Sequence, residues 1–357
     1  MQQFQVRKDD LSSCRLVEAA ARPLAEGEIR VRVERFALTA NNVTYGVVGE
    51  KIGYWKFFEA ADNADGGWGV IPVWGFAEIV ESNAPDVSVG DRIYGYFPMA
   101  EELVMRPTRV SDSRMIDGVA HRADLPPVYN SYARMPAGAS RDLDNERMLL
   151  HPLYATSFCL HDFLVDNGWF GAERLIIVSA SGKTAIGLAY AVKEDAGGLP
   201  ALGLTSRRNR AFVESLGIYD TVLDYGQIAS VPDAPSVIVD MSGSGPVLSA
   251  LHRRLGDNMR FCSNVGLSHW DDNRMGPDFI RERSSMFFAP GHIKKRAGEL
   301  GPGEFESRTN TFWERAAVQS REWLKLEKLE GLSAAVPVFD ELRAGNVAPD
   351  IGIIVEL

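Results

Sequence analysis

Residues 175–197 read LIIVSASGKTAIGLAYAVKEDAG. A short, wholly apolar run of this kind is buried on both faces, as in the middle of a parallel sheet, and the segment after the turn has the spacing of a helix. The pattern repeats downstream. LPALGLTS is a second strand, RRNRAFVESLG a helix ending in glycine, TVLDY a third strand, SVIVDMSG a fourth with the helix GPVLSALHRRLG after it, and MRFCSNVG a fifth. Strands alternating with helices of this length make βαβ units, which wind right-handedly into a parallel sheet covered on both faces. Residues 151–266 are therefore predicted to hold a doubly wound domain, preceded by helical apolar spacing from His151 to Asn167.

Upstream the texture is different. Glu28–Phe36 (EIRVRVERF) alternates apolar and charged residues, the period of a strand with one wet face, and similar runs return at Gly75–Glu81, Asp91–Tyr96 and Ala100–Met105. Short strands separated by turn-forming segments such as NAPDVSVGD predict a small antiparallel barrel. Ser111–Ser140, rich in proline, glycine and polar residues, reads as a long irregular connection. After the α/β region, Ser268–Asn310 shows no clear period, a helix is predicted from Thr311 to about Glu327, and the closing GIIVEL has barrel texture. The resulting division is 1–140 with 312–357 for the barrel and 141–311 for the inserted α/β domain.

Bulk properties narrow the function. A chain of 357 residues suits two domains, and 45% apolar with 24% charged residues is ordinary for a globular protein. A net charge of −10 argues against nucleic acid or an anionic membrane as partner, because both need a basic face. Neither a secretion signal nor a membrane-length apolar run is legible, so a cytoplasmic protein is expected. Cys14, Cys159 and Cys262 lie too far apart to form a cluster with metal-ligand spacing, and read as reduced, buried and structural; no metal site is predicted.

The turn Ser179-Ala180-Ser181-Gly182-Lys183-Thr184 sits between a buried strand and a helix, where backbone N–H groups and the positive end of the helix dipole meet a pyrophosphate. It departs from G-x-G-x-x-G, with Ala180 and Ala185 in place of the first and third glycines, so an ordinary strand-to-helix turn stays open. Gly182-Lys183-Thr184 also matches the end of a Walker A loop, but Ile177 stands inside a buried strand where the opening glycine belongs, and a triphosphate loop cannot begin there. One strand further on, Thr205-Ser206-Arg207-Arg208-Asn209-Arg210 has three arginines and no acid. An NAD site places an acid here for the ribose hydroxyls, whereas hydroxyls and a cation suit the 2′-phosphate of NADPH. Three cations at a helix start oppose its dipole, which favours an anion there over the alternative of a merely solvated helix start.

In this order the features resemble the medium-chain dehydrogenase/reductase superfamily, on its zinc-free quinone-reductase and enoyl-reductase side, and are most similar to a group within it known only as a domain of unknown function. The resemblance covers nearly the whole chain and implies a GroES-like β-barrel split between the chain ends with a Rossmann domain inserted. LTANNVTY (Leu38–Tyr45) resembles the L-N-x-x-D motif, with Asn41 on the asparagine and Thr44 where aspartate is usual; Val89–Ile93 resembles the structural V-G-D-R-V turn. HPLYATS (His151–Ser157) implies Thr156 near the nicotinamide, LGIYDTVLDY places Tyr225 by the ribose phosphate, and Ser242, Gly243, Asn264 and Gly266 fall where strand ends face the cofactor. Phe339–Val355 resembles the family's C-terminal segment.

These likenesses imply NADPH as cofactor, held by Thr156, Ser179–Thr184, Thr205–Arg207, Tyr225, Ser242, Gly243 and Asn264. Tyr54, Tyr45 and Asn41 are the candidates for polarising an acceptor, although simple filling of the cleft suits either ring better. Trp55, Phe287, Phe288 and His292 fall where substrate is lined, His292 standing equally well as a loop residue without a role, and Lys294–Arg296 reads as a solvated face. The implied reaction is hydride transfer to a polarised C=C or C=O of an apolar small molecule, with quinone reduction or a catalytically silent nucleotide-responsive module as alternatives. A homodimer through the edge of the Rossmann sheet is expected from the resemblance alone.

Overall fold

A computed structural model describes residues 1–265, 276–301 and 303–357, which form two compact units: Met1–Leu149 with Leu324–Leu357, and Leu150–Trp323. The divisions lie further along the chain than the texture suggests. One helix runs unbroken from Asp144 to Asp166, and the helix Glu304–Ser320 belongs to the second unit.

In the first unit the strands follow the path Lys325–Glu330, Ile351–Glu356, Ile29–Leu38, Pro72–Ser82, Arg92–Pro98, Ser131–Met135, Arg114–Asp117 and Pro107–Thr108, with Glu102–Met105 also on Ile29–Leu38. A second sheet joins Cys14–Glu18, Gln2–Arg7 and Trp68–Gly69. The closing strand Ile351–Glu356 pairs antiparallel with Ile29–Leu38, so the two ends of the chain share one core, in which the rings of Phe4 and Phe339 meet at 5.5 Å.

Four segments differ from their sequence reading, each for a local reason. Gln2–Arg7 is a buried strand hidden by Gln3 and Gln5, whose amides bond Glu59 and Ala61 carbonyls. The stretch read as an irregular connection carries the short strands Arg114–Asp117 and Ser131–Met135, the first ending on Asp117, which forms a buried ion pair with Arg122. Lys325–Glu330 (KLEKLE) is a strand, not the end of a helix; its residues are good helix formers, and parallel pairing with Ile351–Glu356 overrides them. The region without period contains the strand Ser284–Met286 and the helix Ala289–Leu300, which buries only His292 and so shows no apolar stripe.

The second unit holds a six-stranded sheet, wholly parallel, in the order Thr221–Asp224, Ala201–Thr205, Arg174–Val178, Ser236–Asp240, Met259–Asn264, Ser284–Met286. This is the doubly wound Rossmann order, which reverses direction beside Arg174–Val178 and puts the switch point between it and Ser236–Asp240. Among the described residues, no helix is long and apolar enough to cross a membrane. Cys159 and Cys262 are buried free thiols and Cys14 is half-buried.

His252, on the helix Gly245–Leu255, is fully buried, stacks on Phe279 at 4.6 Å and accepts the Ile280 amide on Nδ1 at 2.9 Å. Burial, and secondarily the Arg283 charge, push its pKa down to about 4. A histidine depressed in the folded state contributes stability that is complete above its ordinary pKa and fades as pH falls through 6.5 towards 4. Urea unfolding should show a loss of about 2–3 kcal/mol over that window that is absent from His252→Gln, whose amide oxygen can still accept from Ile280. Parallel pH profiles for the two proteins would refute this role.

Candidate functional site

In the Rossmann unit the candidate residues sit at the carboxyl ends of neighbouring strands. Val178 pairs with Asp240, and Thr205 with Asp224, so Ser179, Ser206, Tyr225 and Met241 leave the sheet along one edge. Ser179 takes the left-handed conformation at φ 64°, a position that favours glycine. The Ala180 amide bonds the Leu204 carbonyl at 3.1 Å, and Tyr219 Oη donates to the Ala180 carbonyl at 2.8 Å. The helix Lys183–Glu194 then opens on Gly182, which offers no side-chain cap, and so leaves first-turn amides and the positive dipole end available to an anion. Thr184 is half-buried, and its carbonyl accepts from Ser157 Oγ at 2.7 Å.

Ser181 is nearly buried, and its Oγ accepts from Asn209 Nδ2 at 3.0 Å and from Thr205 Oγ1 at 3.4 Å. After Thr205 in the chain, Ser206 Oγ is buried without a hydrogen-bond partner among the described residues. The three arginines divide. Arg210 bonds Glu214 and Gln227, whereas Arg207 is exposed and has no partner among the described residues. Tyr225 lies against Ser179, with burial raising the pKa of its hydroxyl.

Four predicted cofactor contacts are spent on internal bonds. Asp240, whose pKa burial raises, accepts from the Ser242 amide and hydroxyl at 2.9 and 2.6 Å and from the Gly243 amide at 3.0 Å; Ser242 and Gly243 thus form a turn strapped to the strand end. Asn264 Nδ2 bonds the Ser285 carbonyl at 3.3 Å, stitching two strands. Thr156 Oγ1 donates to the Pro152 carbonyl of its own helix at 3.1 Å. Gly266 lies outside the described residues.

Of the proposed substrate residues in this unit, Phe288 is exposed and Phe287 packs on Phe163 and His292. His292 is not a loop histidine: its Nε2 bonds Asp162 at 2.6 Å, and Arg296 reaches the same carboxylate at 2.8 Å. Lys295 bonds Asp166, so most of the expected solvated face is an ion-paired seam between two helices.

In the barrel unit, the helix Ala40–Val47 carries Asn41, which donates to Tyr45 Oη at 2.7 Å. Tyr45 faces Tyr54 at 4.5 Å between ring centroids, and the Tyr54 and Tyr129 hydroxyls are bonded at 3.1 Å. Tyr96 and Trp74 complete the cluster, the ring of Tyr96 4.7 Å from Tyr129 and 5.2 Å from Trp74. Burial raises the pKa values of Tyr45, Tyr54, Tyr96 and Tyr129, so all four stay protonated near neutrality. Sequence reading missed Tyr129, Tyr96 and Trp74, because each comes from a different distant segment and none carries a local motif. Trp55 turns the other way, into the barrel core: an added Cβ on Gly49 or Gly69 would lie 2.2 and 2.4 Å from its ring, so both glycines are required by its close approach. It is packed in the barrel core, where the sequence reading expected it to line substrate. Among the described residues, no three His, Cys, Asp or Glu side chains are placed to hold a metal ion.

This is the fold of the medium-chain dehydrogenases/reductases, a GroES-like barrel split between the chain ends with a Rossmann unit inserted. Solved structures share it along nearly the whole chain. They include CurA from Vibrio vulnificus in complex with NADPH (14% identity, 100% of this chain and 99% of that chain, TM-score 0.66) and CurK enoyl reductase (12%, 99% and 98%, 0.60). The quinone oxidoreductase from Coxiella burnetii is similar to the same extent (15%, 100% and 99%, 0.59). No curated protein matches the chain in sequence. The chain belongs to the family described as "Protein of unknown function (DUF2855)", whose model matches residues 36–348.

If Trp55 is a packing residue, Trp55→Ala should cost about 3–5 kcal/mol of unfolding free energy. A variant that melts with the wild type would return Trp55 to the list of substrate contacts.

Proposed function

We propose that this protein is an NADPH-dependent, zinc-free oxidoreductase that reduces a polarised C=C or C=O bond of an apolar small molecule. The observation that carries the reading is the strand end Thr205–Arg207, where, among the described residues, a buried Ser206 hydroxyl and an exposed Arg207 have no partner and the segment has no acid to bind ribose hydroxyls. Those donors fit a 2′-phosphate, and the uncapped helix at Gly182 fits a pyrophosphate. The NADPH in the similar CurA structure supports the same assignment. Tyr225 would flank the adenosine ribose. The nicotinamide, when bound, supplies a hydride; this chain's residues bind and orient the nucleotide and supply a proton.

For the proton we assign Tyr54, whose hydroxyl is held by Tyr129 and kept neutral by burial. The surrounding rings favour an apolar or flat acceptor, which includes quinones. A second reading, a nucleotide-responsive module without catalysis, is favoured by Thr44: it stands in the aspartate's place and turns its hydroxyl back to the Ala40 carbonyl at 3.4 Å. NADPH oxidation with any enone, aldehyde or quinone in an acceptor panel would eliminate this second reading.

A ligand that binds only the native state raises the melting temperature as its concentration exceeds its Kd. NADPH should stabilise the protein more than NADH at equal concentration, and Arg207→Ala should weaken NADPH about tenfold while leaving NADH unchanged. Equal shifts by the two nucleotides would remove the 2′-phosphate assignment, and no shift by either would remove the cofactor.

A further inference from the structure

The Ser181 hydroxyl has one proton and two lone pairs, and the described structure places a donor on each lone pair: Asn209 Nδ2 at 3.0 Å and Thr205 Oγ1 at 3.4 Å. Its O–H is then left without an acceptor, although the side chain is 7% exposed. A buried hydroxyl in that state can only donate, which is the polarity an anionic oxygen requires. The same Asn209 closes the turn that carries Ser206 and Arg207, its amide bonding the Ser206 carbonyl at 3.0 Å. One side chain thereby ties the helix-opening turn Ser179–Gly182 to the arginine-bearing turn of the neighbouring strand.

We infer that Asn209 is a positioning residue for the nucleotide: it fixes Ser181 as an obligate donor to the pyrophosphate and links the pyrophosphate and 2′-phosphate cradles. This rests on the nucleotide site proposed above. The brace does here what glycine does in a regular dinucleotide turn, holding a loop whose left-handed position falls on Ser179. Thr205, fully buried at the strand end, supplies the second half of the brace.

The test is a double-mutant cycle on the full chain, with NADPH, NADH and ADP as probes, read by nucleotide titration and by the melting temperature of the ligand-free protein. Asn209→Ala and Ser181→Ala should each weaken NADPH and ADP about tenfold, the double variant binding no worse than Ser181→Ala, because Asn209 acts through Ser181. A purely structural Asn209 would lower the melting temperature and weaken binding equally in both backgrounds. Unchanged binding by Asn209→Ala, or losses that multiply in the double variant, overturns the inference. If wild-type protein binds ADP but neither dinucleotide, the oxidoreductase reading fails and the cycle is still decided with ADP. If it binds none of the three, both fail.

Discussion

The arrangement depends most on the parallel pairing of Arg174–Val178 with Ala201–Thr205 on one side and Ser236–Asp240 on the other. Leu175, Ile176, Ile177 and Val178 are completely buried, and such a strand has its register fixed on both edges at once. Because Val178 is aligned with both Leu204 and Asp240, the three chains leave the sheet at one level. A slip of one residue would turn Ser179 and Ser181 away from Thr205 and dissolve the turn. The candidate nucleotide site is thus a consequence of where apolar residues stop along three strands.

The turn itself departs from the usual economy of such sites. A non-glycine residue in the left-handed region costs about 1–2 kcal/mol, and Ser179 accepts that cost. Tyr219 on the Ala180 carbonyl, Leu204 on the Ala180 amide and the pair on Ser181 offset it with neutral hydrogen bonds of about 1 kcal/mol each. A similar logic explains Asp240. Its carboxylate lies beside a potential anion site and would repel phosphate if it faced solvent; three internal donors absorb its charge, and burial raises its pKa. Overall charge is a poor guide at this scale: the chain carries −10, yet the exposed residues at the end of Ala201–Thr205 are Arg207 and Arg208.

The order of elements was legible because burial on two faces and on one face leave different periods, and Arg174–Asn264 and Ile29–Leu38 obey them. Legibility failed where side chains were polar for structural reasons: Gln3 and Gln5 inside a strand, Leu-Lys-Glu repeats in Lys325–Glu330, and a helix whose one buried residue is His292. At the site, strand-end residues were found by position, but position does not say whether a hydroxyl is available. Ser206 and Ser242 look alike in sequence; one hydroxyl is unpartnered and the other is held by Asp240. The arginines Arg207 and Arg210 divide in the same way, since only the second has Glu214 one turn ahead.

The aromatic cluster of the barrel shows why its chemistry was beyond sequence reading. Tyr45 comes from a helix, Tyr54 and Tyr129 from short turns, and Trp74 and Tyr96 from paired neighbouring strands, where the two face one another directly. Asn41 supplies a further N–H to Tyr45, so a donor already faces that phenol oxygen. Among the described residues Trp74 Nε1 and Tyr96 Oη are buried without a hydrogen bond of good geometry, although both lie close to the Tyr45 hydroxyl. Burial keeps the phenols neutral, which removes them as bases but preserves them as donors. On the proposed reading, an uncharged cluster of this kind would favour an oxygen that gains negative charge over one already charged, because the former would enter without losing the hydration of an ion.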